Sequence, residues 1–146
     1  GQTWKRHVLI DTKVSENEGQ LLQDMDGDGI PEWIVNSWNP KNPVMIYRLV
    51  RTSQPEPNGC RFTVEPATIA QSGNKHGLGV GDINGDGRID VLTGAGWYEH
   101  PADNAWSQTW TFHADWHTEA SIPMIVAAVD GDSLQDVLVG EGHDYG

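Results

Sequence analysis

The stretch Asp82-Ile83-Asn84-Gly85-Asp86-Gly87-Arg88-Ile89-Asp90 places side-chain oxygens at alternate positions and adds a last carboxylate four residues on. Short Asp and Asn side chains at that spacing on one tight loop can all point inward. A hard cation such as Ca²⁺ uses this arrangement to gather about six to eight oxygens at roughly 2.3–2.6 Å. The pattern occurs earlier as Asp24-Met25-Asp26-Gly27-Asp28-Gly29-Ile30-Pro31-Glu32, and later, decayed, as Ala128-Val129-Asp130-Gly131-Asp132-Ser133-Leu134-Gln135-Asp136. Glycine at loop position six lets the backbone turn back without a Cβ clash, so the carbonyl of position seven can join the shell. That carbonyl belongs to Ile30 in the first copy and Arg88 in the second. A single Asp-Gly-Asp-Gly is equally well explained as a metal-free surface turn, but recurrence in one frame favours metal. The third copy keeps Asp130, Asp132 and Asp136 but has lost its first side-chain ligand at Ala128 and its turn glycine at Ser133, which makes it the weakest of the three.

The elements around these loops exclude the obvious competitor. A helix-loop-helix calcium site opens with the same residues but needs a bidentate Glu at position twelve and helices on both sides. Position twelve is Val35, Thr93 and Val139. The flanking runs Leu21-Leu22, Trp33-Ile34-Val35, Val91-Leu92-Thr93 and Val137-Leu138-Val139 are short and β-rich, so each loop is expected to join two strands.

The order of elements repeats. Residues 4–11 have strand composition. Strands are expected at 19–23 and 32–36 around the first loop, then at 43–51 and 61–69. The second unit follows with 78–81, 90–94, 97–100 and 109–114, and the third with 124–128 and 136–140. Units of about four strands at a spacing of roughly 50 residues are the signature of propeller blades. The expected fold is therefore all-β, a partial β-propeller of about two and a half four-stranded blades. Residues 1–11 would be the outer strand of a preceding blade, 19–70 and 76–115 two blades, and 122–146 a half blade. Closed propellers need about four to eight blades, so the expectation is a segment of a longer propeller of about seven or eight blades, unless subunits complete the ring.

The runs D-M-D-G-D-G-I-P-E-W-I-V and G-V-G-D-I-N-G-D-G-R-I-D-V-L-T-G resemble FG-GAP/VCBS repeats, the calcium-loop propeller blades also found in integrin-type heads. The resemblance implies metal ligands at Asp24, Asp26, Asp28 and Glu32, and at Asp82, Asn84, Asp86 and Asp90. The segments H-G-L-G-V-G-D and G-A-G-W-Y-E-H-P are similar to those of an extracellular bacterial and fungal subgroup like aldos-2-ulose dehydratase, which implies carbohydrate chemistry. A propeller architecture carries many activities, so neither resemblance selects one.

If the first hairpin of each blade carries the cation loop at one face of the disc, the loops between second and third strands open at the other. Those loops hold Asn36, Ser37 and Trp38, then Ala95 and Trp97, then Glu141, His143, Asp144 and Tyr145, with His76 expected near the same rim. Trp38, His76, Trp97, Glu141 and His143 are the candidate ligand-binding residues. Trp faces stack on sugar rings, and His76 or His143 beside a Tyr or Glu could take a proton next to a sugar carboxylate or carbonyl. The competing reading makes Trp38 and Trp97 packing residues between blades and His76 a donor to a neighbouring carbonyl. His7, His113 and His117 are read as surface residues.

Composition bounds the partners. With 146 residues, 37% of them hydrophobic and seven of them Trp, the chain can bury a modest core as one domain. Its net charge of −12 argues against nucleic acid. No run is long enough to span a membrane, and the opening Gly1-Gln2-Thr3 has no signal-peptide character, as expected of mature or excised material. The single Cys60 excludes an internal disulfide. Calcium sites of modest affinity fill most readily outside the cytoplasm, which favours an extracellular or periplasmic setting. The reading is a Ca²⁺-binding module with a glycan or protein ligand and the rest of its propeller as partners. Part of a carbohydrate lyase or dehydratase is the alternative, and a purely structural set of blades the second.

Overall fold

The computed structural model of the chain describes residues 3, 4, 6, 8, 10, 11, 16–55, 59–73, 75–119, 123–132 and 134–140. These residues form two β-sheets and no helix. The first sheet is an antiparallel meander of β1 (Asn17–Gln23), β2 (Glu32–Ser37), β3 (Val44–Arg51) and β4 (Phe62–Ala70), paired in chain order. In its β2–β3 register Trp33 lies opposite Tyr47 and Ile34 opposite Ile46. Consecutive residues of a strand point to opposite faces. Ile34 and Ile46 therefore face one side with Val44 and Ile69, while Trp33 and Tyr47 pair on the other with ring centroids 5.2 Å apart.

The second sheet contains β5 (Leu78–Gly81), β6 (Asp90–Thr93), β7 (Gly96–Glu99) and β8 (Thr111–His113) as another meander. It also contains the hairpin of β9 (Pro123–Ala127) and β10 (Asp136–Leu138). The third unit was expected to open a blade of its own. Instead β9 pairs parallel with β5, Leu78 opposite Pro123 and Val80 opposite Ile125, which gives a six-stranded sheet in the order β10-β9-β5-β6-β7-β8. A two-stranded hairpin is marginal by itself, and the bare edge of β5 offers it unpaired backbone groups. Two glycines make the approach possible. A Cβ at Gly79 would lie 2.6 Å from the Met124 carbonyl oxygen, and one at Gly81 would lie 2.5 Å from the Val126 Cβ.

A single apolar layer binds the sheets together. Met25, Ile34, Val44, Ile46 and Ile69 of the first unit meet Leu78, Val91, Tyr98, Ala105 and Trp110 of the second. A smaller cluster of Leu92, Trp97 and Met124, with Val126 and Val137 against it, seats the third hairpin on the second unit. The strand expected at residues 4–11 is not found among the described residues there. Thr3, Trp4, Arg6, Val8, Ile10 and Asp11 are irregular and Trp4 is fully exposed. No helix among the described residues is long and apolar enough to cross a membrane.

Candidate functional site

The first Asp loop, between β1 and β2, is built by its own carboxylates. Asp24 accepts from the Gly27 and Gly29 amides at 2.8 and 2.9 Å, Asp26 from the Asp28 amide at 3.3 Å, and Asp28 from the Ile30 amide at 2.7 Å. Gly29 has φ +84°, a left-handed conformation that an L side chain rarely adopts. The result draws one oxygen from each of Asp24, Asp26 and Asp28 to within 4.8 Å of one another. Each carboxylate offers about four lone-pair sites, so turning the loop leaves acceptor capacity free. An oxygen-only donor set suits a hard divalent cation and no softer metal. Position nine closes the loop from below, where buried Glu32 accepts the Met25 amide at 2.9 Å.

The second loop is built in a similar way. Asp82 accepts from the Asp86 and Gly87 amides at 2.9 and 2.8 Å, Asn84 from the Asp86 amide at 3.1 Å, and Asp86 from the Arg88 amide at 2.9 Å. Asp90 takes the Ile83 amide at 3.0 Å and the His100 amide at 2.9 Å, tying the loop to the end of β7. The Arg88 guanidinium pairs with Asp86, and its Nε donates to the His100 carbonyl at 2.7 Å. Each loop thus has one internal guanidinium beside it, Arg88 against Asp86 in the second and Arg48 3.7 Å from Asp26 in the first, where three carboxylates gather. In the third loop the Asp132 amide donates to Asp130 at 2.9 Å and the Leu134 amide to Asp132 at 2.7 Å. Asp136 accepts the Val129 amide at 2.8 Å. Ala128 supplies no side-chain acceptor there, and Ser133 lies outside the described residues.

The charges are strained in the sense a cation would relieve. Burial pushes Glu32 above the usual carboxylate range against the opposing Met25 amide, and Asp26 and Asp28 push it further. Asp90 is fully buried, and burial raises its carboxyl from 3.8 to about 6 despite two amide donors, with Asp86 and Asp82 adding to the rise. The ninth-position carboxylate thus has a structural task that spacing alone did not reveal, bracing the loop through the position-two amide in all three copies.

At the opposite end of the strands, Trp38 and His76 stack with centroids 6.0 Å apart and 17° between planes. Trp38 is 39% exposed. Asn36, buried beneath, donates to the Lys75 and Gly77 carbonyls at 2.8 and 2.9 Å, so it holds the chain on both sides of His76. Trp97 does not join this rim. It is 6% exposed, its ring stacks on His113 at 4.2 Å, and its N–H donates to Asp115 at 2.7 Å. Trp97 is a packing residue, because the glycine turn before it directs β7 back into the sheet. His113 is likewise half-buried and lies 2.8 Å from Glu99, rather than free on the surface. Glu141 and His143 lie outside the described residues, as do Asp144, Tyr145 and His7.

Two groupings went unseen in the sequence. Lys75, with a left-handed backbone at φ +62°, lies 2.8 Å from His117 and pairs with Glu119. His117 therefore reaches the Trp38–His76 rim. On the loop side, a cleft of about 510 Å³ between the first two loops is lined by Asp24, Asp26, Arg88, His100 and Trp106 among others. His100 stacks on Trp110 at 4.6 Å and is held below its ordinary pKa by burial and by Arg88. No sequence signal marks either grouping, since both depend on segments brought together only by the stacking of the sheets.

Paired sheets whose first hairpins each carry an oxygen-rich loop define a β-sheet repeat module of the β-propeller type. Residues 24–93, from the first Asp of the first loop to the end of β6, match the FG-GAP-like repeat. No curated protein and no solved structure matches the chain.

Proposed function

We propose that this chain is a calcium-binding β-propeller module that works outside the cytoplasm and presents a carbohydrate- or protein-binding surface at the rim opposite its Asp loops. The observation that carries the reading is the convergence of Asp24, Asp26 and Asp28 oxygens within 4.8 Å in a loop that residues 24–93 share with the FG-GAP-like repeat. When bound, Ca²⁺ supplies positive charge to a cluster that otherwise repels itself. Asp24, Asp26, Asp28 and the Ile30 carbonyl would hold it in the first loop, and Asp82, Asn84, Asp86 and the Arg88 carbonyl in the second. The chain's own residues shape these loops through their amide bonds and transmit loop order to the β1–β2 and β5–β6 hairpins. At the rim, the exposed Trp38 face and the His76 ring offer an aromatic platform flanked by Lys75, His117 and Glu119, a combination suited to an oxygen-rich ligand.

Isothermal titration with Ca²⁺, followed by thermal melts with calcium or chelator, tests the reading. Binding at the first loop is expected to fall at least about tenfold in Asp24→Ala, because affinity tracks ligand charge. A bound ion at a hundred times its Kd is expected to add about 2.7 kcal/mol to stability. Melting that ignores both calcium and chelator would refute the cation assignment. Uronate or glycan binding that survives Trp38→Ala and His76→Ala would refute the rim.

A further inference from the structure

Among the described residues, two buried side-chain polar atoms have no hydrogen-bond partner, Arg48 Nε and His100 Nδ1. They come from different units, yet both stand at the cleft between the first two Asp loops. His100 lines that cleft, with its ring centroid 5.7 Å from that of Trp106. Arg48 lies against the same ring, its guanidinium 5.1 Å over the Trp106 centroid and 3.7 Å from Asp26, a further lining residue. A buried polar group without a partner is costly, and native chains rarely keep one. Here two coincide.

The rest of His100, which is 6% exposed, is fully engaged. Its amide donates to Asp90 at 2.9 Å and its carbonyl accepts from Arg88 Nε at 2.7 Å. Its ring lies flat on Trp110, with 4.6 Å between centroids and 5° between planes. The other ring nitrogen donates to the Ile89 carbonyl, so Nδ1 of the uncharged imidazole is left as a lone-pair acceptor. Arg48 Nε is a donor only. A hydroxyl satisfies both kinds of atom, because it donates and accepts, whereas a carboxylate serves only the donor and an ammonium only the acceptor. The charges agree. Arg48 is paired with Glu65 and Asp26, and Arg88 with Asp86, so neither guanidinium is spare for an anion. The cleft of about 510 Å³ falls within the range of about 300–1,000 Å³ typical of small-ligand sites. Pro101, Ala102 and Ala105 add apolar surface beside Trp106.

We propose that the cleft between the first two Asp loops binds a neutral saccharide unit, whose hydroxyls bond to His100 Nδ1 and Arg48 Nε and whose apolar face lies against Trp106. The site is separate from the Trp38–His76 rim, which lies at the opposite ends of the strands. Both atoms are closed to solvent in the free chain, and both lie against Trp106, a half-buried ring on the loop between β7 and β8. Trp106 therefore shifts to admit the ligand, and its face then stacks on the C–H face of the sugar.

Titration of the full chain, in calcium, with the neutral disaccharides cellobiose, maltose and chitobiose tests the site, read by nitrogen NMR of the imidazoles. At least one of them is expected to shift the His100 Nδ1 signal saturably, with a Kd of about 1 mM or tighter. The signal is assigned by its loss in His100→Phe. That variant keeps a flat ring on Trp110 without the nitrogen, and Arg48→Lys keeps the charge beside Asp26 and Glu65 without the Nε–H. Each is expected to weaken binding about tenfold, the loss of one buried hydrogen bond. Near-ultraviolet circular dichroism reports whether the variants are folded, and Trp106→Ala, at a half-buried loop position, repeats the test with the same expected loss if either unfolds. No saturable shift with any of the three sugars overturns the inference. So does a shift of His76 in place of His100, which would put the saccharide at the rim, or binding that all three variants leave unchanged. Tighter binding of glucuronate than of glucose would make the cleft an anion site and overturn it as well.

Discussion

Asp90 is expected to contribute more stability to the cation-free protein in mild acid than at neutrality. Its carboxyl is fully buried and raised from 3.8 to about 6, chiefly by that burial. The folded state then binds the proton more tightly than the unfolded chain. Stability from this group is fully present below pH 3.8 and is lost as the pH rises through about 6. The whole swing corresponds to about 3 kcal/mol, of which about 1 kcal/mol returns between pH 7 and pH 5. For a domain of this size that is a rise of about 2–4 °C in Tm. Other carboxylates also lose their mutual repulsion as the acid pH neutralises them, so the quantity to read is the difference between wild type and Asp90→Asn in chelator. The variant keeps the shape, but its side-chain NH2 must face either the Ile83 or the His100 amide, a donor against a donor, at a cost of about 1–3 kcal/mol. Its melt should lack the extra acid stabilisation. With saturating calcium the wild-type slope should reverse, because cation ligands must be deprotonated. Equal pH slopes for wild type and Asp90→Asn in chelator would refute the argument.

Two further outcomes follow from the packing. Asn36→Ala removes the donor to the buried Gly77 carbonyl and the part-buried Lys75 carbonyl and is expected to cost about 2–4 kcal/mol in denaturant melts. It should also weaken rim-ligand binding while leaving calcium affinity unchanged. Ile34→Ala, at a sealed position, is expected to cost about 3 kcal/mol. Leu138→Ala, at the half-exposed counterpart position, should cost under about 1 kcal/mol, and comparable losses at the two positions would contradict the burial argument.

Much of the architecture was legible before any coordinates. The short apolar, β-rich runs Trp33-Ile34-Val35 and Val44-Met45-Ile46-Tyr47 mark strands buried over most of their length. Asx and glycine at fixed offsets mark the loops, because the bonds that shape them join residues only two to seven apart.

What the chain's local pattern determined, then, was the strands, the oxygen-rich loops and their repetition, all set by interactions between near neighbours in sequence. Only the tertiary structure decided that Trp97 is sealed under His113, that Lys75 meets His117 and Glu119, and that Asp90 braces His100. It also decided that β9 joins the edge of β5 instead of opening a new sheet. Each of those outcomes turns on how closely two distant segments approach. That distance is set by the space left at Gly79 and Gly81 and by which faces the sheets bury against each other, and no periodicity within a single strand encodes it.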